Sequence, residues 1–324
     1  MSTSAPQITR KARIWNLIDT AGMLLVLAIL LVICSVFVPN FFSVINFKSV
    51  ALAVTTIGII SCTMLLCLAS GDFDLSIGSV VAFAMVICPV VMAKTGSITA
   101  GIGAALFLGA IVGFVNGFVV AQLGINALIT TLATMQIVRG LAYITTGGGT
   151  VGILKEDFYM LGTGAFFGIP IPVWIMILCF IIFGFLLGRT TFGRNTLAIG
   201  GNSEAARLAG IPVVRTKIII FTLQGLISAF AGIILASRMA SGQPSAGLGL
   251  ELQVISACVL GGVSLTGGIG SIWFVIAGVL IMGVVQNAMS LLNLPAFYQY
   301  VVWGSILLAA VLLDRLKQKQ LGRK

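Results

Sequence analysis

The sequence predicts an all-α polytopic membrane protein with about ten transmembrane helices, and three observations support that prediction. Of the 324 residues, 59% are hydrophobic and 8% are charged, with a mean hydropathy of +1.17. A water-soluble domain carries roughly 25% charged residues to cover its surface, so most of this surface must face lipid. Apolar runs occur at 18–39, 49–69, 75–93, 98–121, 126–145, 171–188, 216–237, 250–264, 270–291 and 297–313. Most approach the roughly 20 residues needed to cross a hydrocarbon core of about 30 Å. The basic residues are also unevenly placed. Arg10, Lys11 and Arg13 precede the first run; Arg189, Arg194, Arg207, Arg215 and Lys217 gather between the sixth and seventh; Arg315, Lys317, Lys319, Arg323 and Lys324 follow the last.

Lysine and arginine stay on the cytoplasmic side of a spanning chain. Both termini and the 189–217 loop are therefore expected in the cytoplasm. Ten crossings return the chain to its starting side and leave Lys48, Lys94, Lys155 and Arg238 outside. The expected organisation is a cytoplasmic tail over 1–14, one transmembrane domain over 15–314 and a basic tail over 315–324. The first apolar run, Ala21 to Val38, is longer than the apolar core of a signal peptide. It is followed by Pro39-Asn40-Phe41 rather than a small-residue cleavage site, which reads as a retained span. The net charge of +10 does not indicate nucleic acid, because no soluble scaffold presents a basic patch.

Several chemistries are excluded. The six cysteines all fall inside apolar runs, without metal-ligand spacing or loop placement for disulfides, so they are expected to pack in the core. There is no histidine, so zinc catalysis and serine or cysteine triads lose their usual base. No G-x-x-x-x-G-K-[ST] loop is present, and no lysine follows a glycine. The chain is thus expected to have no catalytic residue, metal site or cofactor of its own, and to draw energy from a partner.

A faint internal repeat runs through the chain. Asp74-Leu75 heads one short span and Glu251-Leu252 another. The span after each carries Gly113 with Asn116, or Gly283 with Gln286 and Asn287, and ends at Gly124-Ile125-Asn126 or Leu294-Pro295-Ala296. An odd number of crossings separates the copies, so they would be inverted, a common transporter plan with the pathway at the repeat interface. Gly109, Gly113 and Gly117 recur every four residues, a spacing that lets neighbouring helix backbones approach closely. The external loop at about 146–170 opens on Thr145-Thr146-Gly147-Gly148-Gly149 and is too polar and glycine-rich to span; its Gly147-Gly148-Gly149 run reads as a solvated turn.

The loop at about 189–215 is the most informative stretch. Asn202 is a good N-cap, Glu204 falls in the first turn where the helix dipole favours a carboxylate, and Gly210 suits a left-handed C-terminal cap before Pro212. These residues specify a helix of about two turns, Ser203 to Ala209, whose small face (Ala205, Ala206, Ala209) invites close docking. It is either a surface helix packed on its own membrane domain or a coupling helix seated on a cytoplasmic motor. The candidate coupling residues are Gly200, Gly201, Asn202, Ser203, Glu204, Ala205, Ala206, Arg207, Leu208, Ala209 and Gly210.

Candidate pathway residues are Asp72, Asp74, Asn126, Thr130, Thr134, Glu251, Gln286 and Asn287. A carboxylate at membrane depth needs a wet cavity or a helix N-terminus. Asp74 and Glu251 therefore read either as helix caps or as pathway or ion-coupling groups, and Asp72 shares the second reading. Asn126, Thr130 and Thr134 share one helical face and suit either a hydrophilic conduit or polar glue between helices. Arg139, near the outer end, is expected to snorkel.

The run from Thr190-Thr191-Phe192-Gly193-Arg194 through Gly200-Gly201-Asn202-Ser203-Glu204-Ala205-Ala206-Arg207-Leu208-Ala209-Gly210-Ile211 resembles the ATPase-docking loop of the ribose/galactose/xylose-type ABC importer permeases. The likeness extends to Gly71-Asp72-Phe73-Asp74-Leu75-Ser76, to Gly249-Leu250-Glu251-Leu252, and to the run from Val259 through Gly268. It covers nearly the whole chain from about Trp15. Within the family, Asn126 to Tyr143 and Arg207 to Ser241 resemble most closely the L-arabinose branch. One departure is Gly71-Asp72-Phe73-Asp74, where ribose relatives usually carry Gly-Gly-Ile-Asp.

The resemblance implies a second copy of the permease, a cytoplasmic ATPase with two nucleotide-binding domains that holds ATP and magnesium, a periplasmic sugar-binding protein, and a monosaccharide cargo. The alternatives from the residues alone are an ion-coupled secondary transporter using Asp72, Asp74 or Glu251, and a passive channel.

Overall fold

The computed structural model describes residues 10–153 and 155–320, with the backbone alone described for 10–21, 296 and 313–320. Much of the predicted N-terminal tail, Arg323 and Lys324 lie outside the described residues. So do the side chains of Arg10, Lys11, Arg13, Arg315, Lys317 and Lys319. The chain runs α1 (Arg10–Phe37), α2 (Val44–Ala69), α3 (Ile77–Thr95), α4 (Ile98–Ala121), α5 (Ala127–Thr146), β1 (Val151–Gly152), α6 (Glu156–Thr163), β2 (Ala165–Phe166) and β3 (Ile169–Pro170). It continues through α7 (Ile171–Arg189), α8 (Thr191–Gly201), α9 (Ser203–Leu208), α10 (Val213–Met239), β4 (Ser241–Gly242), α11 (Leu250–Leu260), α12 (Ile272–Leu291) and α13 (Ala296–Gln320).

Among the described residues, seven helices are long and apolar enough to cross a membrane: α2, α3, α4, α5, α7, α10 and α12. Shorter apolar stretches in α1, α11 and α13 complete the ten expected runs. All six cysteines are buried and free, as core packing predicts.

The inverted repeat is visible in the packing. Helices α2 to α5 correspond in order to α10 to α13. Within the first half α3 packs on α4 and on α5; within the second, α11 packs on α12 and on α13. Between halves, α4 lies along α10 as α12 lies along α2, and α3 meets α10 as α11 meets α2. The two lead helices, α2 and α10, pack against each other at the centre. In each half a non-helical segment, 71–76 or 240–249, follows the lead helix before the next one begins. The two restarts meet inside the bundle: a Cβ placed on Gly78 would stand 2.7 Å from the Glu251 carboxylate and would collide with the Gly247 carbonyl.

The four-residue glycine spacing has a physical partner. Gly109, Gly113 and Gly117 of α4 face Gly225, Phe221 and Ile218 of α10 with backbone against backbone. A Cβ on Gly113 would collide with the Phe221 carbonyl and stand 3.0 Å from the Thr222 Cα. In lipid, helix association rests on such van der Waals packing, because hydrocarbon tails are as apolar as leucine.

The 146–170 loop opens on the expected turn. Gly147 and Gly148 do form an exposed turn with positive φ (62° and 85°). The rest folds onto the end of α10, because Ile153 and Phe158 bury there. β1 pairs antiparallel with β4, Ser237 Oγ donates to the Phe158 carbonyl at 2.6 Å, and the Tyr159 hydroxyl donates to the Ile153 carbonyl.

Replacing Gly113 by valine should lower stability by about 2 kcal/mol or more, the scale of overpacking against a rigid neighbour. Gly140→Ala, where open space surrounds the site, should be neutral or gain about 0.5 kcal/mol through helix propensity. Thermal midpoints in detergent measure both.

Candidate functional site: the coupling helix and the two helix breaks

The predicted coupling helix is present as α9, one residue shorter than expected, and its caps are those read from the sequence. Asn202 Oδ1 accepts from the Ala205 N–H at 2.9 Å, and Gly210 is left-handed (φ 83°). The Ile211 N–H closes the end onto the Ala206 carbonyl at 3.0 Å. Glu204 and Arg207 form a two-pronged exposed ion pair, with the shorter contact 2.7 Å. The Arg207 guanidinium holds the Glu204 carboxyl below its usual range. Only Ala206 is buried; Ala205 and Ala209 are open, and Leu208 is 78% exposed. A groove of about 490 Å³ lies beside the helix, lined by Arg207, Ile211, Pro212, Val214, Arg215 and Ile218. The helix thus projects from its own domain rather than packing down on it.

The segment before it is a correction to the sequence reading, which expected only loop there. Residues 191–201 form α8, capped by Thr190, whose Oγ1 accepts from the Gly193 N–H at 3.3 Å. The C-terminal end of α8 is pressed into the bundle. A Cβ on Gly200 would collide with the Ala69 carbonyl, and one on Gly267 would lie 2.8 Å from the Gly200 carbonyl and 3.0 Å from the Gly71 Cα. The Gly268 N–H donates to the Ala69 carbonyl at 2.9 Å. Three chain segments therefore touch through backbone alone: the end of α8, the end of α2, and the loop between α11 and α12. Gly201, by contrast, has open space around it.

The acidic candidates are each engaged. Asp72 pairs with Lys217 near the start of α10, with Nζ 2.8 Å from Oδ2 and 3.1 Å from Oδ1. Ser70 Oγ also donates to the Asp72 carboxylate at 3.4 Å. Asp74 closes a tight turn just before α3, its Oδ1 accepting from the Ser76 N–H at 2.8 Å and the Ser76 hydroxyl at 2.6 Å, while the helix itself has no side-chain cap. From Ser76 a buried chain continues: Asn116 Nδ2 donates to Ser76 Oγ at 3.0 Å, and Thr134 Oγ1 donates to Asn116 Oδ1 at 2.7 Å. Glu251 lies in the first turn of α11, against Gly78.

The remaining candidates do not converge on one place. Asn126 caps α5 through the Leu128 N–H at 2.9 Å, and the Thr130 hydroxyl bonds back to the Asn126 carbonyl at 3.0 Å. Asn287 donates to Asn46 Oδ1 at 2.8 Å, tying α12 to the start of α2, far along both helices from the breaks. Gln286 enters the hydrogen bonding through its backbone carbonyl, which accepts from Ser290.

Sequence reading missed the service α5 gives to both breaks. Thr131 Oγ1 accepts from the Leu75 N–H at 3.1 Å in the first non-helical segment. Arg139 does not snorkel outward; its Nη1 donates to the carbonyls of Pro244 at 2.7 Å and Ala246 at 2.6 Å in the second. The signal was available for Lys217 as well. A lysine inside an apolar run requires a carboxylate partner.

Removing one member of the Asp72–Lys217 pair strands a buried charge, at a cost of about 3–5 kcal/mol, whereas removing both leaves none. Asp72→Asn and Lys217→Met should each destabilise strongly, and the double variant should recover most of the loss. Chemical or thermal unfolding in detergent reads the cycle.

Residues 46–311 match the family described as branched-chain amino acid transport system / permease component. The chain is 64% identical over 307 residues to the L-arabinose transport system permease protein AraH of Escherichia coli K12, covering 95% of this chain and 93% of the relative. It is 52% identical over 95% of its length to the L-arabinose ABC transporter permease protein AraH of Azospirillum brasilense, with 91% of that relative covered. It is 41% identical to the Ribose import permease protein RbsC of Bacillus subtilis, over 91% of this chain and 92% of the relative. No solved structure matches the chain. With more than three-quarters of its length inside the family match and those relatives aligned almost end to end, this chain belongs to the branched-chain amino acid transport system / permease component family.

Proposed function

We propose that this chain is the permease of an ATP-driven importer that passes L-arabinose across a bacterial inner membrane, with both termini in the cytoplasm. The observation that carries the reading is α9, a capped helix held out from the bundle with Leu208 uncovered. A short helix of this kind is marginal alone and is maintained here by its caps and by Ala206. Its exposed apolar tip and adjoining groove suit insertion into a partner surface. That partner is a cytoplasmic ATPase with two nucleotide-binding domains, which holds the ATP and magnesium. The cargo arrives from a periplasmic sugar-binding protein. The identity to two L-arabinose permeases supports the pentose.

The mechanism follows from what α9 touches. Closure of the ATPase pushes on α9 and, through Asn202, on the end of α8. Gly200 transmits the push without slack, because it meets the Ala69, Gly71 and Gly267 backbones directly. Lys217, four residues into α10, carries the same movement to Asp72. Both helix breaks then shift relative to the lead helices, and access alternates from one membrane face to the other.

A second copy of the chain completes the path. α4 and α5 are exposed to similar extents, yet α5 is the less apolar, with Asn126, Gln136 and Thr145 on its open face. Lipid suits α4; a polar solute between two copies suits α5. The ion-coupled alternative has no support, since Asp72 is neutralised by Lys217 and Asp74 is occupied by the Ser76 N–H and hydroxyl.

Co-expression with the ATPase and binding protein tests the reading. Labelled L-arabinose should enter proteoliposomes only with ATP, and excess unlabelled L-arabinose should compete better than ribose. Leu208→Asp should abolish both ATPase co-purification and uptake while the permease still folds. Uptake driven by an ion gradient without the ATPase would overturn the proposal.

A further inference from the structure

A second groove, of about 590 Å³, runs between α7 and α12, walled by Phe180, Ile181 and Phe185 on one side and Trp273, Ile276 and Leu280 on the other. We propose that it holds one acyl chain of an anionic phospholipid whose phosphate is bound by Arg189.

Four observations lead there. The groove floor is kept open by glycine: at Gly188 nothing lies within 4 Å of where a Cβ would stand, and at Gly184 the only close neighbour is the Ile272 side chain. Its length is that of one leaflet. Met176 and Gly188, its lining residues at either end of α7, are separated by twelve residue steps. That is about 18 Å of helix at roughly 1.5 Å per residue, close to half of a hydrocarbon core of about 30 Å.

Its charge is placed at one end only. Arg189 is exposed at the last residue of α7 and, among the described residues, makes neither an ion pair nor a hydrogen bond. Trp273, 76% exposed in the first turn of α12, stands at that same end. Tryptophan settles at the headgroup level, and basic pockets between spanning helices on the cytoplasmic side recognise phosphate headgroups. Finally, the groove lies away from the surface offered to a second copy. α7 packs on α2, while α5 packs on α3 and α4, so the two faces are separated by the core of the bundle.

An anionic lipid meets all three demands: an apolar tail for the slot, a phosphate for the unpaired guanidinium, and a depth set by the bilayer. A protein segment would need its own carboxylate at the membrane interface and a backbone satisfied inside hydrocarbon.

Native mass spectrometry of the full chain released from nanodiscs of equal phosphatidylglycerol and phosphatidylethanolamine tests this. The unaltered chain should retain phosphatidylglycerol preferentially. Arg189→Gln should reduce that retention roughly fivefold, the factor that about 1 kcal/mol per arginine at an anionic surface amounts to. Gly188→Phe should reduce retention of both lipids by filling the slot, and Lys94→Gln, at an exposed site on a different helix end, should change nothing. Equal retention of the two lipids by the unaltered chain would mean ordinary boundary lipid and overturn the proposal. So would an unchanged Arg189→Gln, or a cysteine at Ile177 that cross-links to a second copy in membranes. The two groove variants are read separately, so a folding failure in one leaves the other decisive.

Discussion

Inside a bilayer every backbone N–H and C=O must find a partner within the protein, and this constraint governs the two places where the spanning helices are interrupted. Segments 71–76 and 240–249 leave the helical ladder while still inside the bundle. Some of their freed groups are met by turns and by β1, and others by a single helix. On α5, Thr131 serves the first segment and Arg139 serves the second, eight residues apart along the same helix. Asp74 holds the Ser76 N–H of the first.

The same constraint explains why charge is tolerated at depth. Four such groups among the described residues have defined counterparts: Asp72 and Lys217 each other, Arg139 two carbonyls, and Arg238 the Leu52 carbonyl at 2.9 Å. A charge so placed is also a mechanical link, because moving one partner requires moving the other or exposing an unpaired ion. α9 ends nine residues before Lys217 in the chain, so its position and that of the first break are tied by electrostatics as well as by the backbone contact at Gly200.

Glycine does the complementary work where no polar group is available. Along α4 and α10 it brings two backbones together, and at Gly200, Gly267 and Gly268 it brings three segments together at the end that carries α8 and α9. Rigid backbone contacts cannot absorb displacement by a side-chain rotation.

The sequence by itself determined the class, the ten apolar runs, the caps of α9 and the glycine interface on α4, because each is a local property of residue type at a given spacing. The faint pairing of Asp74 with Glu251 and of Asn116 with Asn287 was enough to suggest the inverted halves. Their roles nevertheless differ: Asn116 joins the buried chain from Asp74, and Asn287 fastens α12 to Asn46. Tertiary structure alone decided which polar residues meet. Asp72 and Lys217 lie 145 positions apart, Arg139 and Ala246 lie 107 apart, and no helical or strand period relates them. It also decided that α8 is a helix at all, because its glycine-rich end is held by contacts with Ala69 and Gly268 that local propensity opposes.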